Sequence, residues 1–179
     1  MSTDSRGLAA AKAIGTDVER LVCDGLAVEA VAREDAHHDA ETSGLLAPDT
    51  VDAPFPVVFV GTPLVAVGSD VEIKACKRRT SDGSRSRSGR WNFKGRDDGQ
   101  HATLLDGAAY YALTVYDNGE DGSAASRRVL AVALVPASVV DTILADRWLE
   151  VDRAEGTMAR LPWSLTSLAP AVEKAGGGR

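Results

Sequence analysis

Cysteine is scarce in this sequence, and long hydrophobic runs are absent. Cys23 and Cys76 are the only cysteines, and their spacing fits neither a zinc site nor a disulfide framework. No stretch of about 18 or more consecutive apolar residues occurs, so we expect no transmembrane helix. The first residues also lack the hydrophobic core of a secretory signal. These shortages together predict a cytoplasmic protein with reduced thiols and no membrane partner.

Three motifs with well-defined chemistry are missing as well. The sequence contains no G-x-S-x-G nucleophile motif, no Gly-Lys-Ser/Thr phosphate loop and no Cys-x-x-Cys pair. An acyl hydrolase, a P-loop nucleotidase and a zinc finger are therefore poor interpretations. The composition, with 44% hydrophobic and 26% charged residues, is that of an ordinary globular protein. Its length predicts a single domain over residues 1–179.

Positive charge is concentrated in one segment of an otherwise acidic chain. The net charge is -6, yet the segment from Lys74 to Arg96 contains nine basic residues against one acid, Asp82. That segment therefore carries +8 and the rest of the chain -14. Such asymmetry favours one localised contact with a nucleic acid over general binding of polyanions. The alternative is a solvated loop whose charge only keeps the protein soluble.

Hydrophobic periodicity predicts alternating helices and strands. Apolar residues at helical spacing predict helices at 7–25, 97–109 and 137–149. Strand-like runs occupy 27–35, 57–60, 64–67, 70–76, 108–117 and 127–136, although the first could continue the preceding helix. The runs at 57–60 and 64–67 flank Gly61-Thr62-Pro63 and predict a hairpin. This order predicts an α/β fold with a central mixed β-sheet flanked by helices.

Two segments lack clear periodicity. Residues 77–96 predict a mobile basic loop, and the end of the chain, at about 172–179, is expected to fray. The arginines of the loop could follow a phosphate backbone, and Trp91 and Phe93 could stack on bases or else return to the core. The predicted nucleic-acid-binding residues are Lys77, Arg78, Arg79, Arg85, Arg87, Arg90, Trp91, Lys94 and Arg96.

An acid and a lysine stand two residues apart in the strand-like stretch that contains Glu72-Ile73-Lys74. Residues two apart in a strand point to the same side, so Glu72 and Lys74 project together while their neighbours pack on the other side. Phosphodiester hydrolysis needs a cation held by carboxylates, an acidified water and positive charge near the phosphate. One carboxylate and one lysine supply two of these parts. The alternative is a solvated charge pair on an exposed strand.

Four features, taken in order, resemble the PD-(D/E)xK nuclease superfamily. They are Glu19 in the first helix, the dipeptide Pro48-Asp49, the strand motif Glu72-Ile73-Lys74, and Gln100 at the start of the next helix. Within that superfamily the pattern over residues 15–117 is most similar to archaeal Holliday-junction resolvases. The resemblance implies a restriction-endonuclease-like fold and a metal-dependent DNA endonuclease.

The resemblance also implies a role for each of these residues. Asp49 and Glu72 would bind the metal ion, and Glu19 would complete the metal site directly or through water. Lys74 would orient the attacking water and stabilise charge on the phosphate, while Gln100 would hold Lys74 or the phosphate. The ion would be Mg²⁺ or Mn²⁺, which prefer oxygen ligands. Resolvases of this kind cut DNA as homodimers, because two strands are cut symmetrically.

The identity of the second acid stays open. The 22 residues between Asp49 and Glu72 exceed the common spacing of the family, which leaves Asp52 and Asp70 as rivals. Asp70 lies two residues before Glu72 and would share its face of the strand.

The sequence also allows predictions for the three histidines and for two alternative functions. His37 and His38, with Asp39 and Glu41 after them, could form a metal site, but a solvated loop is the expectation. His101 could donate a proton to the leaving group, but we expect it on a helix surface. The first functional alternative is a non-catalytic DNA-binding protein on the same fold. The second is an unrelated interaction domain in which Glu72 and Lys74 form a surface pair.

Overall fold

A computed structural model describes residues 3–31, 37–81, 83–119, 123, 125–152 and 156–177, with side chains from residue 12 onward. Its helices are α1 (Thr3–Gly25), α2 (Gln100–Asp106), α3 (Ala137–Leu144) and α4 (Ala169–Gly176). Its strands are β1 (Val28–Ala30), β2 (Ala40–Thr42), β3 (Val57–Phe59), β4 (Asp70–Lys77), β5 (Arg79–Ser81), β6 (Ser86–Ser88), β7 (Arg90–Lys94), β8 (Tyr110–Asp117), β9 (Arg128–Pro136), β10 (Leu149–Glu150) and β11 (Thr157–Pro162). Across the described residues, no helix is long and apolar enough to span a bilayer.

Six strands form a central sheet in the order β1-β2-β4-β8-β9-β3. β4 runs parallel to β8 and β3 runs parallel to β9, whereas the other neighbours are antiparallel. β8 and β9 are buried along most of their length, as their nearly continuous apolar sequences require. The predicted α/β fold, with a central mixed sheet and flanking helices, is confirmed.

The central sheet has a hydrophobic core on each face. On one face, Val18 and Val22 of α1 join Ile73 of β4 in a buried cluster. On the other face, Leu113 of β8 belongs to a second cluster that includes residues of α2, α3, α4 and a smaller sheet of order β10-β11-β7. The side chains of β4 alternate between these two cores, and Cys76 marks the face of the second one.

The predicted hairpin between 57–60 and 64–67 is wrong. β3 pairs in parallel with β9, where Val58 lies opposite Ala133. Val65 instead forms an isolated bridge with Leu46. Pro63 has no backbone N–H to donate to a ladder, and Gly61 adopts a φ of 71° that turns the chain away.

The predicted mobile loop at 77–96 contains strands instead. β5 and β6 form a hairpin with Arg79 opposite Ser88, and β7 pairs with β11. The signal that the sequence reading missed is the alternation in β7, where Trp91 and Phe93 are buried between more exposed neighbours. Because both rings enter the second core, they fix this segment against the central sheet.

The predicted frayed tail and the third predicted helix also need correction. α4 extends to Gly176, Val172 is fully buried, and the Arg78 guanidinium donates a hydrogen bond to the Gly176 carbonyl at 2.7 Å. The helix predicted at 137–149 ends at Leu144, because the chain continues into β10, which pairs with β11.

Candidate active site

Glu72 lies at the centre of a polar cluster on β4 and the start of α2. Only 4% of Glu72 is exposed. Its Oε1 accepts hydrogen bonds from Lys74 Nζ at 2.5 Å and from Gln100 Nε2 at 2.8 Å. Its Oε2 is buried and has no hydrogen-bond partner among the described residues. A buried carboxylate oxygen without a donor is costly, so it is suited to accept a further ligand.

Lys74 and Gln100 close a triangle with Glu72. Lys74 Nζ donates a hydrogen bond to Gln100 Oε1 at 2.8 Å, so each of the three side chains contacts the other two. Lys74 shares the face of Glu72 because the two residues are two apart in β4. Its side chain is 19% exposed, against 5% for Glu72. The ammonium group therefore lies at the more open side of the cluster.

Two glycines determine where α2 begins and so where Gln100 lies. Gly95 has a φ of 66°, and a Cβ at this position would lie 2.4 Å from the Cα of Gly99. A Cβ on Gly99 would lie 2.6 Å from the Cα of Gly95. The turn between β7 and α2 therefore excludes a side chain at both positions. The Gly95 carbonyl accepts a hydrogen bond from Ala102 N at 3.1 Å, which ties the turn to α2.

Asp39 is an acid of this cluster that the sequence reading did not assign. It precedes β2, and its backbone N donates to the Val71 carbonyl at 3.1 Å. Its Oδ2 accepts a hydrogen bond from Ile73 N at 2.9 Å, so the carboxylate is held beside the Glu72-Ile73-Lys74 strand. The alternation in Ala40-Glu41-Thr42, of which the first and last are buried, is the signal that could have revealed a strand beginning here.

The environment of Glu72 changes its acidity. The pKa of Glu72 is raised from 4.5 to about 7, chiefly by burial, and the negative charge of Asp39 acts in the same direction. The charge of Lys74 and its hydrogen bond oppose this shift. Burial therefore outweighs the ion pair. A second cation beside Glu72 would favour its ionised form.

Glu19 lies within electrostatic range of the same cluster. It is on α1, and its carboxyl is half-buried. Burial raises the pKa of Glu19 first, the charge of Asp39 raises it further, and the charge of Lys74 lowers it. The structure thus brings together four residues, Glu19, Glu72, Lys74 and Gln100, that the sequence analysis had selected.

None of the three aspartates that competed for the second acid forms a hydrogen bond or ion pair with Glu72, Lys74 or Gln100 in the described part of the chain. Asp49 is in an exposed turn, and its side chain makes no hydrogen bond or ion pair among the described residues. Asp52 lines a cavity with Asp24, at the end of α1. The side chain of Asp70 is 41% exposed, and its Oδ1 lies 3.5 Å from His38 Nε2. Within the described part of the chain, no group of three or more His, Cys, Asp and Glu side chains is arranged to hold a metal ion.

The predicted nucleic-acid-binding residues differ in their exposure and in their contacts with the rest of the protein. Four arginines are exposed on the β5–β6 hairpin and β7, namely Arg79, Arg85, Arg87 and Arg90, whereas Lys77 and Lys94 are half-buried. Two others have structural contacts. Arg78 binds the end of α4 at Gly176, and Arg96 lies 3.4 Å from Asp141 and over the ring of Trp148. These two guanidinium groups therefore stabilise the packing of neighbouring elements.

Stacking of DNA bases on Trp91 or Phe93 is inconsistent with the structure. Trp91 is 1% exposed and Phe93 is 0% exposed. The indole N–H of Trp91 donates to the Thr114 carbonyl at 3.0 Å, so its polar end is satisfied inside the protein. Of the two interpretations of this pair, return to the core is the one that the structure shows.

His101 was expected on a helix surface but is fully buried behind Gln100. Its Nδ1 lies 2.8 Å from the hydroxyl of Tyr111, and its Nε2 lies 3.5 Å from Asp141. Burial lowers the pKa of His101 more than the charge of Asp141 raises it, which favours a neutral ring. These contacts attach α2 to β8 and α3, and so help to fix Gln100. His37 is exposed, and its backbone carbonyl lies 3.4 Å from Gln100 Nε2.

Comparison with known families agrees with this geometry. The model of the PD-(D/E)XK nuclease superfamily domain matches residues 5–166. The chain therefore belongs to the PD-(D/E)XK nuclease superfamily. The match extends well beyond the 15–117 region of motif resemblance and includes β9, α3 and β11. Searches of curated proteins and of solved structures returned no match.

Proposed function

We propose that this protein is a metal-dependent endodeoxyribonuclease, which hydrolyses phosphodiester bonds within DNA. The observation that carries the proposal is the buried triangle of Glu72, Lys74 and Gln100 beside Asp39, in a chain of a nuclease superfamily. A surface ion pair would leave its carboxylate in solvent, whereas Glu72 is 4% exposed. Perturbed, buried ionisable groups of this kind are concentrated at functional sites.

The residues of the cluster fit a hard divalent cation such as Mg²⁺ or Mn²⁺. Asp39 and Glu72 provide carboxylate oxygens, and Glu72 Oε2 has no other partner among the described residues. Mg²⁺ is commonly held by one or two carboxylates together with phosphate oxygens and water, so two protein ligands are sufficient. Glu19 would contribute charge or a water-mediated contact. When bound, the ion would supply positive charge at the phosphate and a water of lowered pKa.

Lys74 and Gln100 would act on the substrate from the more open side of the cluster. Lys74 Nζ would orient the attacking water and stabilise the negative charge that develops on the phosphate. Gln100 accepts a hydrogen bond from Lys74 and donates one to Glu72, so it would hold both groups in position. The rigid turn between Gly95 and Gly99 supports Gln100 in this role.

We extend the proposal to the form of the substrate. The order of the motifs resembles archaeal Holliday-junction resolvases, so we propose branched DNA as the preferred substrate and a homodimer as the active form. Cleavage of a four-way junction, a flap and a linear duplex of matched sequence would be compared, and light scattering would give the mass in solution. Equal cleavage of all three substrates by a monomer would contradict this extension.

A DNA-binding protein without nuclease activity is the second candidate function. The observation in its favour is that the described residues contain no cluster of three metal-ligating side chains. It predicts DNA binding on the same fold without hydrolysis in any divalent metal.

Cleavage assays with Asp39→Asn and Asp49→Asn distinguish these possibilities. We expect DNA hydrolysis with Mg²⁺ or Mn²⁺ that chelation abolishes. Asp39→Asn should lower the rate about 100-fold, because one of two carboxylate ligands is lost. Asp49→Asn serves as the matched control and should retain activity. The reverse result would return Asp49 to the site, and DNA binding without hydrolysis would select the second candidate.

A further inference from the structure

The outward face of the β10-β11-β7 sheet is positively charged, and the candidate active site does not use it. Strand register places its side chains in three rows: Leu149, Met158 and Lys94; Arg160 and Asn92; and Pro162 and Arg90. The residues that alternate with them on β7, Trp91 and Phe93, are buried on the inner side. No acidic side chain occurs at these described positions, and the exposed acids Asp146, Glu150 and Asp152 alternate along the chain with the pocket-lining residues 147, 149 and 151. Since the chain as a whole is acidic, this face is suited to attract a polyanion.

A pocket of about 330 Å³ opens beside these rows. It is lined by Arg147, Leu149, Val151, Met158 and Arg160. Arg147 and Arg160 are both exposed, and Leu149 is 70% exposed. An exposed leucine and a methionine between two guanidinium groups combine an apolar surface with positive charge. A nucleotide has the complementary chemistry, because its base has an apolar face and its phosphate is an anion.

The apolar part of the pocket favours an unpaired nucleotide. In a duplex the faces of the bases are stacked on each other, and a protein mainly meets phosphates and base edges. In a single strand the base faces are free to pack on side chains. Charge alone would suffice for a duplex backbone, and it would not require Leu149 at the surface.

We propose that this face binds a single DNA strand. Its phosphates would contact Arg90, Lys94, Arg147 and Arg160, and one unpaired base would occupy the pocket between Arg147 and Arg160. The inference rests on the proposed function, since the bound strand would be part of the nuclease substrate. It deepens that function by assigning, among branched DNAs, those with a single-stranded segment, such as a flap.

The position of Lys94 connects this face to the candidate active site. Lys94 ends β7, and Gln100 follows six residues later across the turn between Gly95 and Gly99. Gly95 N donates to the Thr157 carbonyl at 3.0 Å, so the turn is also attached to β11. The row that contains Lys94 is therefore the end of the sheet from which the chain enters α2.

Binding assays without hydrolysis test the proposal. Fluorescence anisotropy in EDTA would follow a labelled oligothymidylate of about 12 nucleotides and a hairpin duplex. The double variant Arg147→Ala/Arg160→Ala should bind the single strand at least tenfold more weakly, with a salt slope reduced by about 1.4. Leu149→Asp should weaken single-strand binding about tenfold and duplex binding less than twofold.

Two matched controls separate the pocket from general surface effects. Arg128→Ala removes an exposed arginine from β9. Leu165→Asp replaces a leucine that is 64% exposed and does not line this pocket. Both should bind the single strand like the wild type, and thermal melting would show that all variants are folded. Single-strand binding by the double variant within twofold of the wild type would overturn the proposal. An equal loss of duplex binding in Leu149→Asp would overturn the pocket assignment.

The same variants keep this proposal separate from the proposed nuclease activity. Strand binding that depends on Arg160, without hydrolysis in Mg²⁺ or Mn²⁺, would support the binding face and reject the nuclease. Hydrolysis by the wild type, together with unchanged single-strand affinity in the double variant, would support the nuclease and reject the binding face.

Discussion

β4 presents a different environment on each of its faces. Val71 and Ile73 pack in the apolar cluster beneath α1, while Glu72 and Lys74, one residue away in each case, belong to the polar cluster beside Asp39. Val71, Ile73 and Glu72 are all at most 4% exposed, so burial alone does not distinguish the packing residues from the polar cluster. The difference lies in hydrogen bonding, because Glu72 Oε2 has no partner among the described residues. Incompletely satisfied buried groups are concentrated at functional sites, which is why the proposed site is assigned to this face.

Among substitutions on the polar face of β4, Lys74→Ala should have the largest effect on cleavage. We expect the single-turnover cleavage rate to fall about 100- to 1,000-fold, because positive charge at the phosphate is lost. Thermal melting should show a folded protein, since the apolar face is unchanged. Lys12→Ala, which removes an exposed lysine from α1, is the control and should cleave normally. Normal cleavage by the Lys74 variant would remove this residue from the site.

On the apolar face of β4, Ile73→Ala should reduce packing and lower the stability of the fold. Ile73 is 4% exposed, and its truncation should lower the free energy of unfolding by about 3 kcal/mol through lost burial and a cavity. Urea denaturation measures this change, and Ile73→Val should cost about 1 kcal/mol. Cleavage by the folded fraction should persist, because the backbone N–H that binds Asp39 remains. A loss of cleavage as large as that of Lys74→Ala would show that the two faces are not independent.

The buried carboxyl group of Glu72 should make the stability of the protein depend on pH. The pKa of Glu72 is raised from 4.5 to about 7 in the folded protein, so the folded state binds this proton more tightly than the unfolded state. The associated stability is present below about pH 4.5 and is lost as pH rises through about 7. We expect this loss to be about 3 kcal/mol in the absence of metal.

Glu72→Gln should abolish this part of the decline. Urea denaturation of the metal-free protein at acidic and alkaline pH would compare the variant with the wild type and with Glu173→Gln, which alters an exposed residue of α4. The stability of Glu72→Gln relative to the wild type should increase with pH, whereas Glu173→Gln should follow the wild type. A decline in Glu72→Gln equal to that of the wild type would assign the titration to another group.

Part of the site could be predicted because its signals are local. Glu72 and Lys74 share a face through the two-residue repeat of a strand, and Gln100 begins a helix with its own periodicity. Asp39 could not be found in this way, because its position depends on the pairing of β2 with β4, which joins residues about thirty positions apart.

The fold shows the same division between local and distant signals. The hairpin of β8 and β9 and the helix α1 follow from continuous patterns in the sequence. The pairing of β3 with β9 and of β7 with β11 depends on distant partners, and both were missed. In β7 the serine- and arginine-rich surroundings also masked the alternation around Trp91 and Phe93.

The contact between Gly95 and Gly99 has a consequence for protein engineering. Neither position can carry even a methyl group without moving the backbone of the other. The distance from the end of β7 to Gln100 is therefore set by main-chain atoms and does not depend on which side chains occupy the sheet. The surface of β7 and β11 is therefore a suitable place for engineering. Residues grafted there would keep their alignment with the polar cluster of Glu72, Lys74 and Gln100, provided that both glycines are kept.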